Sequence, residues 1–166
     1  MMTDSMNDGK RKLIQKFLVT TDFSDYSLAG LEHALSMAAQ FRADIHLLHV
    51  AEKGRGKSRQ AVEALARCEM QKFITENTDE YTCIRQIILQ GDPADEITRY
   101  ARSNAIDMIV IATHGRTGLK HIVMGSIAEK VVRFSTVPVL TVKPTLVCER
   151  ILSETDIAHD LHIHSS

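Results

Sequence analysis

Residues 108–112 read Met-Ile-Val-Ile-Ala, an apolar run with no charge and no turn former inside it. The run ends in Thr113-His114-Gly115-Arg116-Thr117-Gly118, a loop with two glycines and two hydroxyls. A short run closed by turn residues predicts a strand buried on both faces. Strands buried that way belong to parallel sheets with helices on each side. Four further strand patterns accompany this one: Ile14–Thr21, Ile45–Val50, Cys83–Leu89 and Val137–Val142, with Asp107–Thr113 fourth in chain order.

Helical patterns fill the intervals. Ser24 is a plausible N-cap for a helix with apolar positions Leu28, Leu31, Leu35 and Ala38. A weaker pattern runs through Val62, Leu65, Met70 and Phe73. Gly91-Asp92-Pro93 opens the third helix, with Asp92 as N-cap, Pro93 at the first helical position and Asp95 in the first turn. Its apolar face is Ala94, Ile97 and Ala101. Gly125-Ser126 precedes the fourth, whose apolar positions are Ile127, Val131 and Phe134. Strands alternating with helices predict an α/β fold, a doubly wound five-stranded parallel sheet with helices on both faces. Pro138 cannot donate to a ladder, so the last strand belongs at an edge.

In such sheets ligands sit beyond the C-terminal strand ends, where the strand order reverses. If the first and fourth strands lie side by side, Thr20-Thr21-Asp22 and Ala112-Thr113-His114-Gly115 face one crevice. Asp22 can accept hydrogen bonds from ribose hydroxyls or a base amine, or can simply cap backbone amides. Gly115, Gly118, Gly125 and Ser126 can cradle phosphates through backbone amides and one hydroxyl, at the start of a helix whose first amides are unpaired. Arg116 and His114 can reach a phosphate, or remain solvated surface groups. His46 and His49 alternate with aliphatic residues in the second strand, which favours structural roles. No Walker pattern and no GxGxxG follow the first strand, which disfavours NAD. No Ser-His-Asp, Cys-His or paired-carboxylate arrangement is recognisable, so no catalytic residue is assigned.

Composition narrows the partners. The chain has 166 residues and a net charge of −1, enough for one domain and without the basic surplus of a large nucleic-acid footprint. Cys68, Cys83 and Cys148 are scattered and odd in number, which fits a reducing cytosol better than a disulfide framework or a zinc site. No stretch approaches the roughly 20 apolar residues of a membrane span. Residues 1–13 and 145–166 read as polar or flexible tails around a domain of residues 14–144. The second tail carries His159, His162 and His164. Lys53–Arg59 is a basic, glycine-containing connection.

From Ile14 to Lys143 the sequence resembles the universal stress protein family. The family's nucleotide motif is Gly, two residues, Gly, nine residues, Gly, then Ser or Thr. The spacing is present in full here as Ala112-Thr113-His114-Gly115, Arg116 to Met124, and Gly125-Ser126. TTDFSDYS, LLHV, GDPADEI and VPVLTVK agree at the flanks. The resemblance implies strand order 3-2-1-4-5, a homodimer paired through the last strand, and ATP or AMP at the switch point. It implies Asp22 at the ribose or adenine, Val50 beside the adenine, and Gly115, Gly118, Gly125 and Ser126 on the phosphates. The expected nucleotide-binding set is therefore Thr20, Thr21, Asp22, Val50, Ala112, His114, Gly115, Arg116, Gly118, Gly125, Ser126 and Ile127. Any Mg2+ would ride on the phosphates, with no metal cage in the protein.

Two residues depart from the pattern. Ala112 replaces the motif's first glycine, which strains the chain if φ is positive there and only narrows the pocket if the residue is extended. Thr20 replaces a proline common among relatives, an expected loss of rigidity. The reading is a cytoplasmic, adenine-nucleotide-binding regulator of the stress response, with an unidentified protein partner. Slow ATP hydrolysis or phosphotransfer, and a nucleotide-independent interaction module, stay open as alternatives.

Overall fold

The computed structural model describes residues 14–51, 58–78, 84–113 and 124–143. The chain order is β1 (Lys16–Thr20), α1 (Asp25–Phe41), β2 (Asp44–Ala51), α2 (Arg59–Asn77), β3 (Ile84–Gln90), α3 (Pro93–Ser103), β4 (Met108–Ala112), α4 (Ser126–Phe134) and β5 (Val139–Val142). The strands form one sheet in the order β3-β2-β1-β4-β5. All four pairings are parallel, with Val19 opposite both Leu47 and Val110 at the centre.

Two cores lie on the two faces of this sheet, and strand pleating divides them. Phe17, Val19, Ile45, Leu47 and Val110 point to one face and pack with Leu31, Ala34, Met70 and Phe73 of α1 and α2. Leu18, Leu48, Ile109 and Ile111 point to the other and pack with Ala94, Ile97, Ala101, Ala128 and Val131 of α3 and α4. Consecutive residues of β1 and β4 thus serve opposite cores, which is why their sequences are apolar without alternation.

Local signals fix the helix ends. Ser24 caps α1 by accepting from the Ser27 amide at 3.3 Å. Asp92 caps α3 by accepting from the Ala94 and Asp95 amides at 3.0 and 3.2 Å, with Pro93 at the first position. β5 lies at the sheet edge just after Pro138, whose carbonyl still accepts from the Ile109 amide at 2.9 Å.

Two helices bury their expected faces only in part: Met70, Phe73 and Val131 are buried as expected, but other expected positions are not. In α2 the buried positions are Ala66, Met70 and Phe73, whereas Leu65 is 53% exposed. In α4 they are Ala128 and Val131, whereas Ile127 and Phe134 are 42% and 64% exposed. Both helices turn a small alanine toward the sheet, which permits close approach, and leave larger residues at the rim. Leu18→Ala is therefore expected to cost about 2–5 kcal/mol in urea unfolding, and Leu65→Ala less than about 0.5 kcal/mol. Equal losses would contradict the observed helix phase.

His46 lies on the α3 side of β2, buried, with Nδ1 3.0 Å from the Tyr100 hydroxyl. Burial first, then the positive charges of Arg85 and Lys16, hold its imidazole below the usual 6.5, against the opposing pull of Asp44. In the unfolded chain the ring titrates near 6.5, so on acidification the unfolded state takes up a proton that the folded state refuses. The stabilising contribution of this site is full above that pH and declines as pH falls toward the folded-state value. Thermal melts of wild type and His46→Gln should show the difference between them shift against the wild type from about pH 7.5 to about pH 5. A pH-independent difference would contradict this.

Candidate functional site

The strand order reverses between β1 and β4, so the chain leaves their C-terminal ends in opposite directions, to α1 and to α4. That divergence opens the crevice where doubly wound sheets hold ligands. Thr20, Thr21 and Asp22 lie at the end of β1, and Ala112 and Thr113 at the end of β4. His114, Gly115, Arg116 and Gly118, together with Lys53–Lys57 and both tails, lie outside the described residues.

The turn after β1 is tightly held. Thr20 is buried and paired with Leu48. The Thr21 amide donates to the Leu48 carbonyl at 2.9 Å, one rung past the strand. The Thr21 carbonyl accepts from His49 Nδ1 at 2.8 Å. The Thr21 hydroxyl accepts from the Phe23 amide at 2.9 Å and bonds Ser27 Oγ at 2.9 Å. The rigidity that a proline at position 20 would supply is thus provided by four hydrogen bonds on Thr21. Phe23 takes a left-handed conformation, φ 64°, which a bulky residue rarely adopts.

Asp22 is half-buried in this turn. Its Oδ1 accepts from the Ser24 amide at 3.2 Å and from the Ser24 hydroxyl. The capping role that its position allows is therefore present. Through Oδ1 the carboxylate organises the start of α1.

On the other side, Ala112 is the last residue of β4 and pairs with Val142. The positive-φ residues other than glycine among the described residues are Phe23, Arg42 and Ala105, so Ala112 is unstrained. Its methyl adds bulk to an extended strand end and nothing more. The Thr113 amide donates to the Val142 carbonyl at 2.9 Å, and its carbonyl accepts from the Gly125 amide at 2.6 Å. Gly125 thus spends its own amide on Thr113. Its lack of a side chain eases the approach, since a Cβ there would stand 3.2 Å from the Thr113 oxygen, a tight contact that would have to give by a few tenths of an ångström.

This contact brings the N-terminus of α4 to the end of β4. Gly125 is the N-cap and offers no side-chain cap, unlike Ser24, Ser58 and Asp92 on the other three helices. The first intrahelical bond runs from the Glu129 amide to the Gly125 carbonyl at 2.9 Å. The amides of Ser126, Ile127 and Ala128 precede it and have no partner within the helix. They carry the positive end of the helix dipole, which suits an anion. Ser126 and Ile127 are both exposed there. Val50 lies toward the C-terminal end of β2, half-buried and opposite Leu89.

One residue has a larger part here than its sequence context suggested, His49, while His46 keeps the structural role expected of it. His46 and His49 are three apart in one strand and so point to opposite faces. His46 faces α3, while His49 bonds the Thr21 carbonyl and stacks on Phe23 with ring centroids 4.3 Å apart. The odd spacing of the two histidines was the signal available.

The sequence model of the universal stress protein family matches residues 14–143. Universal stress protein MJ0531 of Methanocaldococcus jannaschii is 33% identical over 141 residues, covering 79% of this chain and 83% of that protein. The solved structure of protein MJ0577 superposes with a TM-score of 0.70 at 31% identity, covering 79% of this chain and 96% of the other. A universal stress protein from Archaeoglobus fulgidus, solved in complex with dAMP, has a TM-score of 0.61 at 20% identity, covering 78% of this chain and 98% of its own. The matched segment includes every described strand and helix, and the chain belongs to the universal stress protein family.

Proposed function

We propose that this chain is an adenine-nucleotide-binding regulatory protein of the stress response, cytoplasmic and homodimeric, with ATP or AMP in the crevice between β1 and β4. The observation that carries the reading is the Gly125–Thr113 contact. It sets the uncapped N-terminus of α4 beside the strand end that faces the Asp22 turn. An anionic group is favoured at one side of the crevice and a donor of hydrogen bonds at the other. A nucleotide offers both, phosphates to the Ser126, Ile127 and Ala128 amides and ribose hydroxyls or a base amine to Asp22. Val50 would border the base, and Thr20, Thr21 and Ala112 would shape the walls. His114, Gly115, Arg116 and Gly118 complete the proposed phosphate loop by sequence position. Mg2+, where bound, would be carried on the phosphates. The dAMP complex of a protein with the same fold supports this ligand class.

The proposed dimer uses β5. Pro138 and Val142 direct their carbonyls to β4, so the alternate residues Val139 and Thr141 direct their backbone groups to the open edge. Among the described strands none pairs with this edge, and an edge of this kind is a template for a second copy.

Calorimetric titration of the full chain with ATP and with AMP should give saturable binding of at least one. Asp22→Ala should weaken it about 10- to 100-fold, the loss expected for hydrogen bonds to a charged group. Gly125→Val should weaken it by pushing α4 from Thr113. The absence of heat with both nucleotides, or wild-type affinity in both variants, would overturn the reading. Sedimentation should show a dimer that Thr141→Pro converts to a folded monomer. A folded variant that stays dimeric would exclude the β5 edge.

A further inference from the structure

We propose that His49 is a positioning residue for the nucleotide site, setting where the Asp22 carboxylate stands. The inference rests on the nucleotide reading above and adds to it how the base- and ribose-facing turn is held.

Thr21 lies beyond the end of β1, where the backbone carbonyl has no ladder partner of its own. Buried carbonyls seek one. β2 supplies both contacts from adjacent residues: the Leu48 carbonyl takes the Thr21 amide at 2.9 Å, and His49 Nδ1 approaches the Thr21 carbonyl at 2.8 Å. A carbonyl only accepts, so Nδ1 carries the hydrogen in this contact. The same imidazole lies under the Phe23 ring, tilted by 29° with centroids 4.3 Å apart. Phe73 of α2 also packs against Phe23, edge-on with ring centroids 5.9 Å apart.

His49 therefore grips the residues on both sides of Asp22, Thr21 by a hydrogen bond and Phe23 by stacking. Phe23 holds φ 64°, a conformation that needs its surroundings to maintain it. Released from His49, the turn has less to keep Phe23 left-handed, and Asp22 moves with its neighbours. His49 needs no contact with the ligand to act in this way.

The test is ATP titration of the full chain carrying His49→Asn, His49→Gln or Asp22→Ala, at a temperature where melts show all three folded. The Asn amide can stand near the position of Nδ1 and keep the bond to Thr21, whereas the Gln amide reaches the position of the far ring nitrogen. H49N is expected to bind within about threefold of wild type and H49Q about tenfold more weakly, the effect of one lost hydrogen bond. H49Q leaves the Thr21 carbonyl unpaired and should melt lower than H49N, so affinities are compared where both are fully folded; a purely structural role would lower that melting temperature without separating the affinities. Equal affinities for H49N and H49Q, alongside a weakened D22A, would overturn the role of His49 and leave the site standing. Wild-type affinity in all three variants would overturn the nucleotide reading itself.

Discussion

The parallel pairing of β1 with β4 is the constraint on which the rest depends. Each strand is buried on both faces, and their side chains alternate between two cores. Val19 opposite Val110 fixes the register at the centre, and with it the level at which the two chains leave the sheet. Because α1 and α4 depart to opposite sides, the ends of β1 and β4 lie where doubly wound sheets hold their ligands. Neither core alone would set that position; it follows from the reversal of strand order between them.

The two sides of the crevice are built by different means. On the β4 side the device is a close approach: a residue without a side chain lets α4 begin against the Thr113 carbonyl. The helix is left without a side-chain cap there, and its first amides have no intrahelical partners. On the β1 side the device is a hydrogen-bonded turn. Thr21 is held through its amide, carbonyl and hydroxyl, and Asp22 through Ser24. Backbone donors suit phosphates of any number, whereas a fixed carboxylate suits a particular arrangement of hydroxyl or amine donors. In the proposed complex, selectivity would reside on the β1 side and anion affinity on the β4 side.

Much of this was legible in the sequence. The uncharged run of β4 gave the buried parallel strand, Asp92-Pro93 gave the start of α3, and Pro138 gave the edge position of β5. The crevice followed once the first and fourth strands were neighbours. The phases of α2 and α4 were legible only in part, through Met70, Phe73 and Val131. Their apolar residues are spread around more than one face, and only packing against the sheet selects Ala66 and Ala128 over Leu65 and Ile127. The role of His49 was hidden for a different reason. Its contact with Thr21 spans 28 residues and depends on the β1–β2 register. The left-handed Phe23 gave no warning either, since glycine or asparagine is the usual residue at such a φ. The question raised by Ala112 is resolved by backbone conformation: it ends a regular strand, where alanine is unstrained.

The central claim is that the Asp22 turn and the start of α4 face the same bound molecule. Amide chemical-shift mapping of the isotope-labelled chain during titration with ATP tests this most directly. The expected result is saturating shifts, with one common affinity, at residues 21–24 and at residues 125–128, and small shifts along α2. Shifts confined to one of the two segments, or saturating elsewhere in the fold, would contradict it.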